Sequence, residues 1–184
     1  MASVLIPLAS GFEELEAVTI IDLLRRAQID VTVAGVGGPE PVTGSRGTTI
    51  VPDVALAEVM AQPFDMITLP GGLPGADNLD NDPRIHQLLH TMQQQGRYTT
   101  AICAAPRVLA NAGILNGKRA TGYPGHLEKL QRGDIELVDQ AVVVDGKVIT
   151  SKGPGTAMDF SLCLIEQLCG KERREEVEGP LQRS

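Results

Sequence analysis

Short apolar runs alternate with amphipathic stretches along nearly the whole chain, and this alternation constrains the fold more than any other feature of the sequence. Residues 4–8 read as a buried strand, and after Gly11 a 3.6-residue periodicity over 13–27 reads as a helix. A strand over 30–36 ends at Gly37-Gly38, residues 48–51 read as part of a small hairpin, and 56–61 as a short helix. The strand at 65–69 runs into Pro70-Gly71-Gly72, and a helix over 83–95 leads to a strand at Tyr98–Ile102 and a further helix. Residues 119–121, 136–138, 142–144 and 148–150 read as short strands, with Asp145-Gly146 as a hairpin turn. A helix over 155–168 closes the core, and 171–181 forms a solvated tail whose charges have both signs. Strands interleaved with helices require a mainly parallel sheet covered by helices on both faces. The 184 residues suit one domain spanning the chain, without repeats, linkers or low-complexity tracts.

In sheets of this kind ligands gather beyond the carboxyl ends of the strands. That rule brings together residues 7–11, residues 69–72 and Cys103. Cys103 lies in T-T-A-I-C-A-A-P (residues 99–106), at the corner between a strand and a helix. Ala104 and Ala105 favour the helix, and Pro106 fits its first turn, where a missing N–H does no harm. A thiol at such a corner sits under N–H groups that lower its pKa and hold a developing oxyanion. The placement is analogous to the nucleophile elbow, without the glycines of G-x-S-x-G.

Glu16 is the second feature. It falls on the apolar stripe of its helix with Ile20, Leu23, Leu24 and Ala27, while Glu14, Asp22, Arg25 and Arg26 take opposite and flanking positions. A carboxylate on that stripe is costly unless paired or protonated, so Glu16 is expected to be a desolvated acid with a raised pKa. Such an acid donates a hydrogen bond to a neighbouring thiolate and later moves a proton. Glu13 and Glu14 are explained by the helix dipole. Pro70-Gly71-Gly72, with Gly75, lets backbone N–H groups face a ligand, so Gly71, Gly72 and Ala104 are the expected oxyanion donors. Residues 151–156 (S-K-G-P-G-T) read as a rigid turn opening the last long helix. Tyr123 and His126, in one turn, are the titratable groups of the second half placed to approach Cys103 as accessories.

Composition narrows the function classes. No apolar run approaches the ~20 residues of a membrane span, and the N-terminus opens into a strand without a leader pattern. The net charge is −7, aromatics make up 3%, and Trp is absent. Together these argue against nucleic-acid binding. Cys103, Cys163 and Cys169 form an odd, widely spaced set that fits reduced thiols in the cytoplasm. Cys163 is expected in the core and Cys169 partly exposed, without assigned roles. His86 and His90 share a helix face but lack a third ligand, so no metal site is expected.

Five segments in order then carry a resemblance: G-F-E-E-L-E (11–16), D-L-L-R-R-A (22–27), L-P-G-G-L-P-G-A (69–76), A-I-C-A-A-P (101–106) and T-S-K-G-P-G-T-A (150–157). The chain resembles the ThiJ/PfpI superfamily, its deglycase-type branch most closely. The resemblance puts the family's nucleophile on Cys103, its thiolate-contacting glutamate on Glu16, and its backbone donors on Gly71, Gly72 and Ala104. It implies a flavodoxin-like homodimer with the first helix at the interface. It also implies a cofactor-independent thiol enzyme of the glutathione-independent glyoxalase or protein deglycase type. The substrates are then methylglyoxal-like dicarbonyls, or glycated protein or nucleotide. The other function implied is a redox-sensing stress protein or chaperone, whose cysteine stops at sulfinic acid. The chain departs from many members at Gly122-Tyr123-Pro124, where they carry a histidine, and slow turnover follows. Ala104, where the peptidase branch has histidine, and Ser151-Lys152-Gly153, where amidotransferases have His-x-Glu, disfavour those two activities.

Overall fold

A computed structural model of the protein describes residues 1–183. In chain order the elements are β1 (Ser3–Leu8), α1 (Glu14–Arg26), β2 (Asp30–Gly35), β3 (Val42–Thr43), β4 (Thr49–Ile50), β5 (Val54–Ala55), α2 (Leu56–Val59) and β6 (Met66–Leu69). There follow α3 (Gly75–Asp80), α4 (Pro83–Gln94), β7 (Tyr98–Ile102), α5 (Pro106–Asn111), β8 (Arg119–Ala120) and β9 (Glu136–Leu137). The antiparallel hairpin β10 (Val142–Asp145) and β11 (Val148–Ser151) then leads to α6 (Ala157–Cys169) and α7 (Lys171–Glu178).

Among the described residues one seven-stranded sheet has the order β10-β11-β7-β6-β1-β2-β5. All its pairings are parallel except β10 with β11. Setting aside its edges, the order is the flavodoxin-like 2-1-3-4-5, with its switch point between β1 and β6. Register places Val4 opposite Met66, and Met66 opposite Tyr98, so β1, β6 and β7 end side by side. Strand alternation divides the core. Val4, Ile6 and Leu8 face a layer containing Ile20 and Leu24 of α1 with Phe160 and Leu164 of α6. Leu5, Ile67 and Leu69 face Leu56, Leu89, Val108 and Leu109 of α2, α4 and α5. The expected doubly wound architecture is therefore present.

Local chemistry sets the ends of the helices. Acidic Glu14 and Glu16 lie in the first turn of α1 and basic Arg25 and Arg26 in its last, matching the dipole. Asp82 caps α4 by accepting from the Arg84 N–H (2.9 Å), with Pro83 in the first turn. Several expectations differ in detail. The β8 and β9 strands pair with each other and stand outside the central sheet. The helix after Cys103 begins at Pro106, because Ala104 and Ala105 belong to a turn closed by the Ala105 N–H on the Ile102 carbonyl (3.1 Å). The tail is not wholly solvated, since Val177 packs into the core. The short α3 and the edge strand β5 lack enough apolar periodicity to be read from sequence. Cys163 is half-buried at the edge of the core, and Cys169 is exposed.

Candidate active site

Cys103 follows the last residue of β7 and has φ of 65°, a left-handed conformation that side chains other than glycine rarely adopt. Its backbone is fastened on both sides. The Cys103 N–H donates to the Ser151 carbonyl (3.0 Å), and the Tyr123 N–H donates to the Cys103 carbonyl (2.7 Å). This tight elbow aims the thiol out of the sheet end while leaving it only 8% exposed. The N–H groups of Gly72 and Ala104 approach the sulfur as hydrogen-bond donors.

The Gly71 N–H is used elsewhere: it donates to Glu16 Oε2 at 2.8 Å. A Cβ on Gly71 would lie 2.6 Å from Cys103 Cβ and 2.8 Å from Glu16 Oε2, so only glycine lets the acid, thiol and loop meet. On Gly72, with φ of +90°, it would lie 2.3 Å from the Glu13 nitrogen. The Glu13 N–H in turn donates to the Gly71 carbonyl (2.9 Å), tying the start of α1 to the loop after β6.

Glu16 is fully buried, as its place on the apolar stripe requires. Oε1 has no hydrogen-bond partner of ordinary geometry among the described residues, although the carboxyl interacts with the Cys103 thiol. Burial pushes the Glu16 carboxyl up to about 7, against the pull of the Gly71 N–H and the thiol. Burial and the adjoining carboxylate push the Cys103 thiol up to about 12, against the Gly72 and Ala104 N–H groups. This reverses the sequence expectation of a lowered thiol pKa, because desolvation and a like charge outweigh the backbone donors. The two groups compete for one proton. When Glu16 holds it, the carboxylate's push disappears, and the two N–H groups have only the penalty of burial to offset at a thiolate.

The thiol opens onto a cavity of about 260 Å³ walled by Ser45, Arg46, Leu73, Tyr123, His126 and Pro154, among others. Tyr123 and His126 are brought to the site as expected, their rings in an edge-to-face pair with centroids 5.9 Å apart. A Cβ on Gly153 would lie 3.2 Å from Tyr123 Cδ2 and 4.0 Å from Cys103 Sγ, which accounts for a glycine in the turn at 151–156. Burial, with Arg107 and Lys129 nearby, holds the His126 imidazole below its ordinary value. His86 and His90 are not brought together on a ligand: His86 meets Asp80, and His90 meets the Ala112 carbonyl (2.7 Å). No cluster of His, Cys, Asp and Glu among the described residues is arranged for a metal. Sequence reading missed Ser45 and Arg46, which arrive from a hairpin turn far from Cys103 in the chain. It also placed Glu14 on the solvated flank of α1, whereas Glu14 is buried.

The model of the DJ-1/PfpI family matches residues 2–167. The chain belongs to the DJ-1/PfpI family. Within it, the chain is 45% identical to Protein DJ-1 homolog A of Arabidopsis thaliana over 180 residues. That match covers 97% of this chain and 46% of the plant protein, so the chain spans about half of that relative's length. It is 41% identical over 169 residues to a Caenorhabditis elegans protein named glutathione-independent glyoxalase DJR-1.2, covering 92% of this chain and 89% of that one. The crystal structure of Drosophila melanogaster DJ-1beta superimposes with a TM-score of 0.96 at 44% identity, covering 100% of this chain and 98% of the other. The DJ-1/PfpI architecture is thus present from β1 to α7. No helix among the described residues is long and apolar enough to cross a membrane.

Proposed function

We propose that this protein is a cofactor-independent cysteine enzyme of carbonyl-stress defence, a glyoxalase that converts methylglyoxal-like dicarbonyls into hydroxy acids. The observation that carries this reading is the fully buried Glu16 carboxyl against the Cys103 thiol. The relative named a glyoxalase supports it. In the proposed reaction the Cys103 thiolate adds to the aldehyde carbon, and the new alkoxide takes the proton from Glu16, giving a hemithioacetal. The Gly72 and Ala104 N–H groups steady the alkoxide. Glu16, now a carboxylate, removes the proton from that carbon and returns it to the neighbouring carbon through an enediol, producing a 2-hydroxyacyl thioester. Water cleaves the thioester, releasing the hydroxy acid and restoring the thiol. Overall one dicarbonyl and one water give one hydroxy acid.

Acting on an early adduct of an amine or thiol, the enzyme is a deglycase: the adduct expels the free amine or thiol to restore the aldehyde, to which Cys103 adds as above, with glycated protein or nucleotide as the substrate. Tyr123 and His126 wall the cavity as accessories. The exposed Leu15 and Val18 of α1 support a homodimer through that helix, and a cytoplasmic location belongs to the same proposal.

Dicarbonyl consumption by the wild type, Cys103→Ala and Glu16→Gln tests the reading. Cys103→Ala is expected to abolish turnover, and Glu16→Gln to slow it by about 10²–10⁴-fold, the usual contribution of a positioned acid or base. Unchanged consumption in either variant sinks the mechanism. Absence of wild-type turnover, with a selective gain of two oxygens at Cys103 under peroxide, identifies a redox-sensing stress protein or chaperone instead.

A further inference from the structure

Glu14 stands in the first turn of α1, where an acidic residue needs only to face the helix dipole in solvent. It is instead only 9% exposed, and its carboxylate is turned onto a segment about thirty residues away. Oε1 accepts from the backbone N–H groups of Arg46 (2.6 Å) and Thr48 (3.2 Å). Oε2 accepts from the Ser45 hydroxyl (3.2 Å). A Cβ on Gly44 would lie 2.5 Å from the Glu14 carboxyl carbon, so the carboxylate fills the hollow of the turn between β3 and β4. Those strands are two residues each and pair only over Val42–Ile50 and Thr43–Thr49, too little to hold a turn by themselves. The turn is also tied to residues 11–13 by backbone bonds from Gly11 to Thr43 and from Ser45 to Phe12 (both 2.8 Å) and by a long bond from the Ser45 hydroxyl to Glu13 Oε2 (3.5 Å). Within itself it is tied by the Gly44 N–H on the Thr48 carbonyl (2.8 Å), the Gly47 N–H on the Gly44 carbonyl (3.2 Å) and the Thr43–Thr49 hydroxyl pair (3.3 Å). Ser45 and Arg46, two of the three residues that donate to the carboxylate, line the same cavity as Cys103.

We propose that Glu14 is a positioning residue that clips the 44–48 turn over the thiol cavity and so limits the size of the electrophile that reaches Cys103. The inference rests on Cys103 being the reacting thiol, but not on the glyoxalase reaction. Small, unbranched carbonyls pass the closed turn. Bulky electrophiles react only when the turn opens, at a rate set by the population of the open form.

The test measures alkylation of Cys103 by iodoacetamide and by fluorescein maleimide, read by peptide mass spectrometry. The background is Cys163→Ser with Cys169→Ser, so that the exposed Cys169 does not compete. Glu14→Ala is expected to raise the maleimide-to-iodoacetamide rate ratio by about tenfold or more, the change in opening that follows loss of hydrogen bonds to a charged group. Glu14→Gln keeps acceptor Oε1 in place and is expected to restore a ratio near wild type. Gly44→Ala, which ejects the carboxylate while retaining Glu14, is expected to act like Glu14→Ala and serves if the latter fails to fold. An unchanged ratio in a folded variant, or equal acceleration of both reagents, overturns the clip. A wild-type Cys103 that reacts with neither reagent removes the clip and the reactive-thiol reading together. Normal alkylation without dicarbonyl turnover removes only the glyoxalase reading.

Discussion

Replacing Glu16 by glutamine keeps the shape of the side chain and an acceptor for the Gly71 N–H, but removes the titration. In the folded protein burial raises that carboxyl from its ordinary 4.5 to about 7. Between those pH values the unfolded chain has released a proton that the folded protein still holds, so stability falls as pH rises through the window. At about 1.4 kcal/mol per tenfold change in proton affinity, the gap amounts to about 3 kcal/mol. Linkage counts protons and not their addresses, so the figure stands whether the Glu16–Cys103 pair keeps its last proton on oxygen or on sulfur. The assay is urea denaturation of wild type and Glu16→Gln at closely spaced pH values from 4 to 8. The difference in stability between the two proteins is expected to shift by about 3 kcal/mol in favour of the variant from the acid end to the neutral end. In thermal scans that is roughly 6–12 °C for a domain of this size. A difference that stays constant across the range refutes the reasoning, because Glu16 would then titrate alike in both states.

Gly71→Ala forces a methyl into contact with both Cys103 Cβ and Glu16 Oε2; overpacking of this kind costs about 1–3 kcal/mol by denaturation, and iodoacetamide labelling of Cys103 is expected to change with it. The left-handed backbone at Cys103 (φ of 65°) predicts that Cys103→Gly matches or exceeds Cys103→Ala in stability, since about 1–2 kcal/mol of strain relief outweighs glycine's chain entropy; a clear deficit for the glycine variant argues against strain. Thr156→Val removes a hydroxyl bonded to Ser151 Oγ (2.6 Å) and to the Gly153 N–H and carbonyl (3.2 and 3.0 Å); a loss of about 1–2 kcal/mol is expected, with faster exchange of the Gly153 amide.

The sheet and its covering helices were legible because buried parallel strands are continuous apolar runs and the helices are long enough to show periodicity. Of the two-residue strands, β4, β8 and β9 fall in stretches that read as strand or hairpin, whereas β5 and the separate pairing of β8 with β9 were not legible, since both are fixed by partners distant in sequence. Cys103 and Glu16 were legible for opposite reasons: the thiol by its place at a corner, the acid by its misfit on an apolar stripe. The raised proton affinity of Glu16 follows from that misfit, but that of Cys103 was not legible, because a helix end can be inferred from sequence whereas the depth of burial and the charge beside the thiol depend on tertiary contact. Glu14 shows the limit best. On the helical wheel it belongs to solvent, and only the returning turn at 44–48 makes it an interior residue.

The backbone contact between residues 11–16 and the loop after β6 also bears on the birth of the protein. Glu16 and Gly71 are 55 positions apart, and the Cys103 elbow is completed only by the Ser151 carbonyl and the Tyr123 N–H. During synthesis from the amino end the acid emerges first, its loop partner next and the cysteine third, while Tyr123 and then Ser151, which fasten the cysteine, follow it. Until Ser151 has left the ribosome, the Cys103 N–H lacks the carbonyl that accepts its hydrogen bond in the folded protein. The elbow is therefore among the last parts of the site that synthesis completes, after both the acid and its loop.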